Sequence, residues 1–259
     1  MQLAHEHNVV LIPYGGGTNV SQALMLSEKE DRMIISVDMS RMNRVIWVDR
    51  TNNTACVECG ILGRDLEREL GKYGMICGHE PDSVEFSSLG GWISTRASGM
   101  KKNVYGNIED VVESVKLVTP AGTFTKVCEA PRVSTGPDLT NFILGSEGNF
   151  GLLTEATIKI RELPESKEYG SVVFPDFDTG IKFMRELART RDWPASARLV
   201  DNMQFRFGVA LKPEENSKMK EFMDKVKKYY VTKIKNFDVD KMVALTLVFE
   251  GSKARTTSQ

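Results

Sequence analysis

The run Val9 to Ser21, VVLIPYGGGTNVS, carries the most chemistry per residue in this chain. An apolar strand leads straight into Gly15, Gly16 and Gly17, and then into Thr18, Asn19 and Ser21. Without a Cβ, glycine lets the main chain take φ > 0, come close to a ligand and aim successive N–H groups at one anion, while hydroxyl and amide side chains add donors of little bulk. A diphosphate suits such a run. It is not a P-loop, which needs Gly-Lys-Ser/Thr, nor the Gly-x-Gly-x-x-Gly of dinucleotide folds. An ordinary glycine-rich turn accounts for it equally well.

Two further segments share this texture. His79 to Gly99 is rich in Gly, Ser, Thr and Ala, and the pair Gly90-Gly91 would let a helix N-terminus approach a ligand and offer exposed N–H groups to its negative charge. Gly145-Ser146-Glu147-Gly148-Asn149-Phe150-Gly151 is a second glycine-rich loop, placed ahead of a strand. Other chemistry-bearing residues read as structure. His79 reads as an ordinary hydrogen-bonded loop histidine, Lys101 and Lys102 as a solvated pair, and Phe86, Trp92 and Tyr105 as packing residues. Arg161 and Arg198 fit surface ion pairs or an interdomain cleft equally well.

With 259 residues, 41% hydrophobic and 27% charged, the chain can bury a sizeable core in one large domain or two smaller ones. A net charge of −1 gives no broad field for nucleic acid or anionic lipid. No apolar run reaches the roughly 20 residues that span a bilayer. Cys56, Cys59, Cys77 and Cys128 are too sparse for a disulfide scaffold, which favours a reducing compartment. Cys56-x-x-Cys59 lacks a second pair, and His5, His7 and His79 supply no matching spacing, so no metal site is expected.

The elements that must position these loops follow from apolar spacing. Met1 to Asn8 reads as the end of a helix. Met33 to Val37, Arg44 to Val48 and Thr54 to Glu58 read as strands of a mixed sheet, and Leu62, Leu66, Leu70 and Tyr73 as a helix that stops at Gly74. Val111 to Thr119 and Thr123 to Val127 flank a turn at Pro120-Ala121-Gly122. A helical turn at Thr140 to Leu144 and a strand at Leu152 to Ile160 come next. Beyond Pro164 the order is strand (Ser171 to Phe174), helix (Thr179 to Arg189), strand (Ala197 to Asp201), helix (Glu214 to Tyr230) and strand (Val243 to Glu250), with a domain boundary between Leu163 and Tyr169. The polar tail after an apolar, uncovered last strand points to missing downstream sequence.

Taken together, Pro-Tyr-Gly-Gly-Gly-Thr-Asn, Asp82 to Ser98, Lys101 to Asp110 and Gly145-Ser146-Glu147-Gly148 resemble the alkyldihydroxyacetonephosphate synthase (alkylglycerone-phosphate synthase) family, flavoproteins of the vanillyl-alcohol oxidase type. The resemblance runs from about Leu3 to Gly251 and is most specific from Gly78 to Asp110. It implies an α+β fold: a two-part FAD-binding domain of the PCMH type over residues 1–163, then an incomplete α+β cap domain over 164–259. It implies a cofactor site made by Pro13, Tyr14, Gly15, Gly16, Gly17, Thr18 and Asn19 on the diphosphate, completed by Asp82, Ser83, Val84, Glu85, Phe86, Ser87 and Ser88, by Thr95, Arg96, Ala97 and Ser98, and by Glu147, Gly148, Asn149, Phe150, Gly151, Leu152 and Leu153.

Many relatives tether the flavin through a histidine near the glycine loop, whereas Thr18 follows the last glycine here, so non-covalent FAD is expected. The implied reaction exchanges the acyl chain of acyl-dihydroxyacetone phosphate for a long-chain alcohol in ether-lipid synthesis, with no net oxidation. The family's catalytic tyrosine, histidine run and phosphate-binding arginine lie beyond the stretch matched here, so no catalytic residue is assigned and the chain reads as an N- and C-terminally incomplete copy. Peroxisomal location, peripheral membrane contact of the full-length enzyme and a homodimer come with the resemblance; the chain itself shows no targeting signal. The competing readings are an FAD-dependent 2-hydroxyacid dehydrogenase of the same fold and an FAD-binding fragment without catalysis.

Overall fold

The computed structural model describes residues 1–126, 128, 130–211 and 237–258. It divides into two compact units, Met1–Leu163 and Pro164–Gln259.

The first unit opens with a short helix α1 (Gln2–Glu6) that feeds β1 (Val10–Tyr14). β1 pairs in parallel with β2 (Ile34–Asp38), and this pair stands apart from the main sheet. That sheet has the order β3-β4-β8-β6-β7, from β3 (Val45–Asp49), β4 (Thr54–Glu58), β6 (Val112–Thr119), β7 (Gly122–Thr125) and β8 (Leu152–Lys159). Every pairing in it is antiparallel, so the expected single mixed sheet is instead an antiparallel sheet beside a separate parallel pair. A minor ladder joins β5 (Met75–Ile76) to β9 (Arg161–Glu162).

The helices α2 (Gly63–Gly71), α3 (Leu89–Thr95), α4 (Lys102–Tyr105), α5 (Ile108–Val111) and α6 (Leu139–Ile143) surround this framework. Leu66 and Leu70 sit on one face of α2 and are completely buried, against a core that includes Val57, Trp92, Ile93 and Ile158. Burial of each such side chain contributes roughly 1.5–3 kcal/mol, the main force holding α2 and α3 in place. After α2 the chain turns at Gly74, whose φ is +71°, the left-handed geometry that glycine adopts without a steric penalty.

The second unit is a three-stranded antiparallel sheet of order β10-β12-β11, made by β10 (Ser166–Phe174), β11 (Ser196–Val200) and β12 (Val243–Gly251), with α7 (Phe177–Thr190), α8 (Asn202–Ala210) and α9 (Lys253–Ser258). Phe174, Val243, Leu245 and Leu247 form its core, with Met184 and Leu187 of α7 packed on them. Asp176 caps α7 by accepting from the Thr179 N–H at 2.7 Å.

Two expectations change here. β12 is the central strand, paired on both sides, and not an open edge. The supposed polar tail is α9, started by Ser252, whose hydroxyl accepts from the Arg255 N–H at 3.4 Å and whose carbonyl accepts from the Thr256 N–H at 3.0 Å. Helical spacing of apolar residues is absent there, so only the serine and the helix-forming Ala254 and Arg255 announced it. The helix expected over Glu214 to Tyr230 lies outside the described residues.

Candidate functional site

A cavity of about 390 Å³ opens in the first unit where the loop after β1 meets the 81–88 turn, α3 and the Glu147–Gly151 loop. The main-chain N–H groups from Gly15 to Ser21 donate to no protein acceptor among the described residues. The Asn19 side chain caps the Ala23 N–H at 3.1 Å, and the Ser83 hydroxyl reaches Thr18 at 3.4 Å. A row of free N–H groups with hydroxyls alongside is the donor set a diphosphate requires. Among the described residues the cavity wall carries one charged side chain, Glu147, so N–H and O–H dipoles rather than an Arg or Lys face an anion there.

Close packing between loops makes this shape. A Cβ on Gly15 would fall 2.2 Å from Ser88 Oγ, and one on Gly16 would fall 1.7 Å from the Phe86 carbonyl oxygen. Gly17 takes φ +67° over the Tyr14 ring. On the opposite wall Glu147 takes φ +49°, unusual for a residue with a side chain. Its N–H donates to the Ser94 carbonyl at 2.8 Å, its carboxylate accepts from the Ser21 hydroxyl at 2.6 Å, and Gly148 presses on the Pro13 ring.

The start of α3 differs from the sequence expectation. Its first N–H groups are already occupied: Leu89 donates to Ile61 at 3.0 Å, Gly90 to Cys59 at 2.7 Å and Gly91 to the Ser88 hydroxyl at 3.2 Å. A helix whose end donors are capped by protein has none left for a ligand. Gly90 instead allows the helix to close on the Cys59 carbonyl, from which a Cβ would stand 2.9 Å.

Of the residues that the resemblance singled out, Pro13, Gly15, Gly16, Gly17, Thr18, Asn19, Ser83, Ser87, Ser88, Thr95, Ala97, Glu147, Gly148, Gly151 and Leu153 share this one wall. Asn149, Phe150 and Leu152 line an adjoining cavity of about 320 Å³ beside α1, which has Pro13, Gly148 and Gly151 in common with the first. Tyr14, Asp82, Val84, Glu85, Phe86, Arg96 and Ser98 line neither. Val84 packs on α2 at Gly63, and Arg96 ends α3 with φ +49° and an ion pair to Glu109 at 3.8 Å. Phe86 is exposed, not packed.

Sequence reasoning left Met39, Cys59, Ser94 and Trp92 off the wall. Trp92 is buried, and its indole N–H donates to Ser87 Oγ at 2.7 Å. A tryptophan directly after a glycine pair was the available signal. Cys56 lies on β4 and Cys59 just beyond it, both buried. Burial pushes the Cys59 thiol pKa well up, so the thiol stays neutral. Among the described residues no group of three or more His, Cys, Asp or Glu side chains could hold a metal ion.

His79 and Lys101 overturn their readings as a hydrogen-bonded and a solvated residue. His79 is buried edge-on to Trp92, with ring centroids 5.0 Å apart, and among the described residues neither ring nitrogen reaches full hydrogen-bond geometry, the Gly106 main chain acting on the ring only weakly. Burial lowers its pKa to about 4, opposed by a weaker pull from the Gly106 main chain, so the ring is neutral. Lys101 is buried with its Nζ 2.9 Å from Glu80 Oε2 and 5.0 Å from the Tyr105 ring centre, while Lys102 is exposed. Arg161 also lies over the Tyr105 ring, at 5.6 Å; Arg198 belongs to β11 of the second unit.

Comparison with known proteins adds the family. A family model described as FAD binding domain matches residues 1–127, and one described as FAD linked oxidases, C-terminal domain, matches residues 163–259. The chain belongs to this family of FAD flavoproteins. It is 52% identical over 250 residues to the alkyldihydroxyacetonephosphate synthase of Caenorhabditis elegans, a match that covers 96% of this chain and 42% of the relative. Two solved structures of alkyldihydroxyacetonephosphate synthase superpose with TM-scores of 0.87 and 0.88 at 39% and 38% identity, over 99% of this chain and 46% and 45% of theirs. The chain thus spans less than half the length of the relatives it matches. FAD is its cofactor, and the α+β architecture is the one these flavoproteins share.

Proposed function

We propose that the first unit of this chain is the flavin cradle of an alkyldihydroxyacetonephosphate synthase. In this reading the whole enzyme converts acyl-dihydroxyacetone phosphate and a long-chain alcohol to alkyl-dihydroxyacetone phosphate and a fatty acid, with no net oxidation. The observation that carries it is 52% identity across 96% of the chain with a synthase, together with a row of free N–H groups, Gly15 to Ser21, suited to the diphosphate of FAD.

The residues present fit that cofactor. The Gly15–Ser21 amides and the hydroxyls of Thr18 and Ser83 would hold the diphosphate and its flanking hydroxyls, while the Ser87 hydroxyl is spent on the Ser83 carbonyl and the Trp92 indole, and Trp92 and Leu153 give the cavity apolar surface that excludes water from the ring system. With Thr18 where a tethering histidine would stand, attachment is non-covalent. When bound, FAD would supply a nucleophilic ring nitrogen. The Glu147 carboxylate, on the opposite wall, is bonded by the Ser21 hydroxyl, so the Ser21 side chain is taken by protein and its main-chain N–H is what it would offer the diphosphate. Peroxisomal location, membrane contact and a dimer belong to the same reading, through the resemblance alone.

Reconstitution tests it. The purified chain mixed with FAD should retain yellow, protein-bound flavin through desalting, and that flavin should keep its colour when acyl-dihydroxyacetone phosphate and a fatty alcohol are added. Failure to retain FAD would sink the cradle. Bleaching by lactate or glycolate would favour a 2-hydroxyacid dehydrogenase, and uptake with no formation of ether product would leave a binding module.

A further inference from the structure

Outside the cavity, a buried charged group grips the strand of chain that enters its wall. Lys101 is only 6% exposed, yet keeps its ammonium 2.9 Å from Glu80 Oε2 and over the Tyr105 ring. The Glu80 main chain is held from the same side, its carbonyl accepting from the Met100 N–H at 2.8 Å. Just before it, the Glu67 carboxylate on α2 accepts from the Cys77 and Gly78 N–H groups at 3.2 and 2.8 Å, within reach of the Lys101 charge. Residues 77 to 80 are therefore clamped between α2 and the 100–101 turn.

The cavity wall begins at the next residue. Pro81 is adjacent to Glu80 and faces the cavity, and the turn it begins is closed by the Val84 N–H donating to the Pro81 carbonyl at 3.0 Å and the Ser87 N–H to the Ser83 carbonyl at 2.8 Å. That turn carries Ser83, Ser87 and Ser88 to the wall, and its Phe86 carbonyl sets the position of Gly16. Removing an ammonium from water is costly, and apolar packing would hold a plain surface loop at least as well. Here the ammonium is buried, the Glu80 side chain is 32% exposed, and the contacts to its carboxylate and to its carbonyl hold Glu80 in one place.

We propose that Lys101 is a positioning residue of the flavin site: through its ion pair with Glu80 it fixes the entry of the 81–88 turn, and thereby the distance between the hydroxyls of Ser83, Ser87 and Ser88 and the Gly15–Ser21 amides. The inference rests on the reading of this cavity as the FAD site. The pair contributes no contact to the ligand; its effect is on where the contacts stand.

The test is FAD affinity and the visible spectrum of the bound flavin in the full chain, for wild type, Lys101→Met, Lys101→Arg, Glu80→Gln, the Lys101→Met/Glu80→Gln double variant and Lys102→Met, each measured well below its own melting temperature. Lys101→Met and Glu80→Gln should each weaken FAD binding by about tenfold, and the double variant no further than the worse single, because both remove one coupling. The flavin bands of both should shift, Lys101→Arg should restore band positions and affinity, and Lys102→Met should change neither. Wild-type affinity and bands in Lys101→Met or Glu80→Gln, or losses that simply add in the double variant, overturn the proposal. Should Lys101→Met not fold, Glu80→Gln decides in the same way. A wild-type chain that takes up no FAD refutes the reading of the cavity itself, a distinct result.

Discussion

Gly16 lies against the main-chain carbonyl of Phe86 so closely that a Cβ on the glycine would stand 1.7 Å from the oxygen. The sequence suggested that the missing side chain makes room for a ligand; the structure shows it making room for the neighbouring loop. Gly16→Val must push the first glycine loop and the 81–88 turn apart, and we expect flavin uptake to be lost. Flavin absorbance after desalting, with far-ultraviolet circular dichroism to confirm a folded chain, checks this. A variant that remains yellow would refute it.

Gly74 provides the contrast. It has φ +71°, and a Cβ placed on it would find no other atom within 4 Å, so Gly74→Ala meets only backbone strain. Unfolding in urea should show a loss of about 1–2 kcal/mol, with FAD affinity equal to that of the wild type.

Ser88 caps α3 through its hydroxyl, which accepts from the Gly91 N–H at 3.2 Å. Ser88→Ala leaves that donor without an acceptor beside the cavity, and should lower stability by about 1 kcal/mol. Restoration by Ser88→Thr is not expected, because the Gly15 main chain packs on this hydroxyl. The midpoint of denaturant unfolding measures both variants.

His79 makes stability fall in acid. Its pKa is about 4 in the folded chain against an ordinary value of 6.5. Between those values the unfolded chain binds the proton more readily, so stability is full above pH 6.5, declines as pH falls through this window and levels off below the folded value. The whole step is on the order of 3 kcal/mol. Melting temperatures of wild type and His79→Gln over that window should differ in slope, the variant lacking this part of the acid loss. Parallel curves would count against a neutral buried ring.

Much of the architecture was legible because its signals are local. Leu66 and Leu70 at helical spacing with Gly74 behind them mark α2, since that spacing reports a face turned to the core, and the short run Thr54 to Glu58 between polar turns marks β4, all five of whose residues are buried. The three loops of small residues were legible for the same reason. What escaped depends on partners distant in sequence. His79 reads as a hydrogen-bonded loop residue and Lys101 as a solvated one, yet His79 is buried against Trp92, and Lys101 beside Tyr105 and Glu80. Two of the occupied N–H groups of α3 could not be foreseen, because their acceptors Cys59 and Ile61 lie just past β4, about 30 residues earlier in the chain. In α9 the polar sequence simply carries no apolar stripe to read.

The middle position of β12 has a consequence for biosynthesis. All five strands of the first unit's main sheet have been made once Lys159 is in place, so that unit can mature while translation continues. In the second, β10 and β11 both hydrogen-bond to β12, and neither gains that ladder until residues 243–251 have left the ribosome. During that interval their apolar residues await a partner, which makes this half the one that chaperones would be called on to shield.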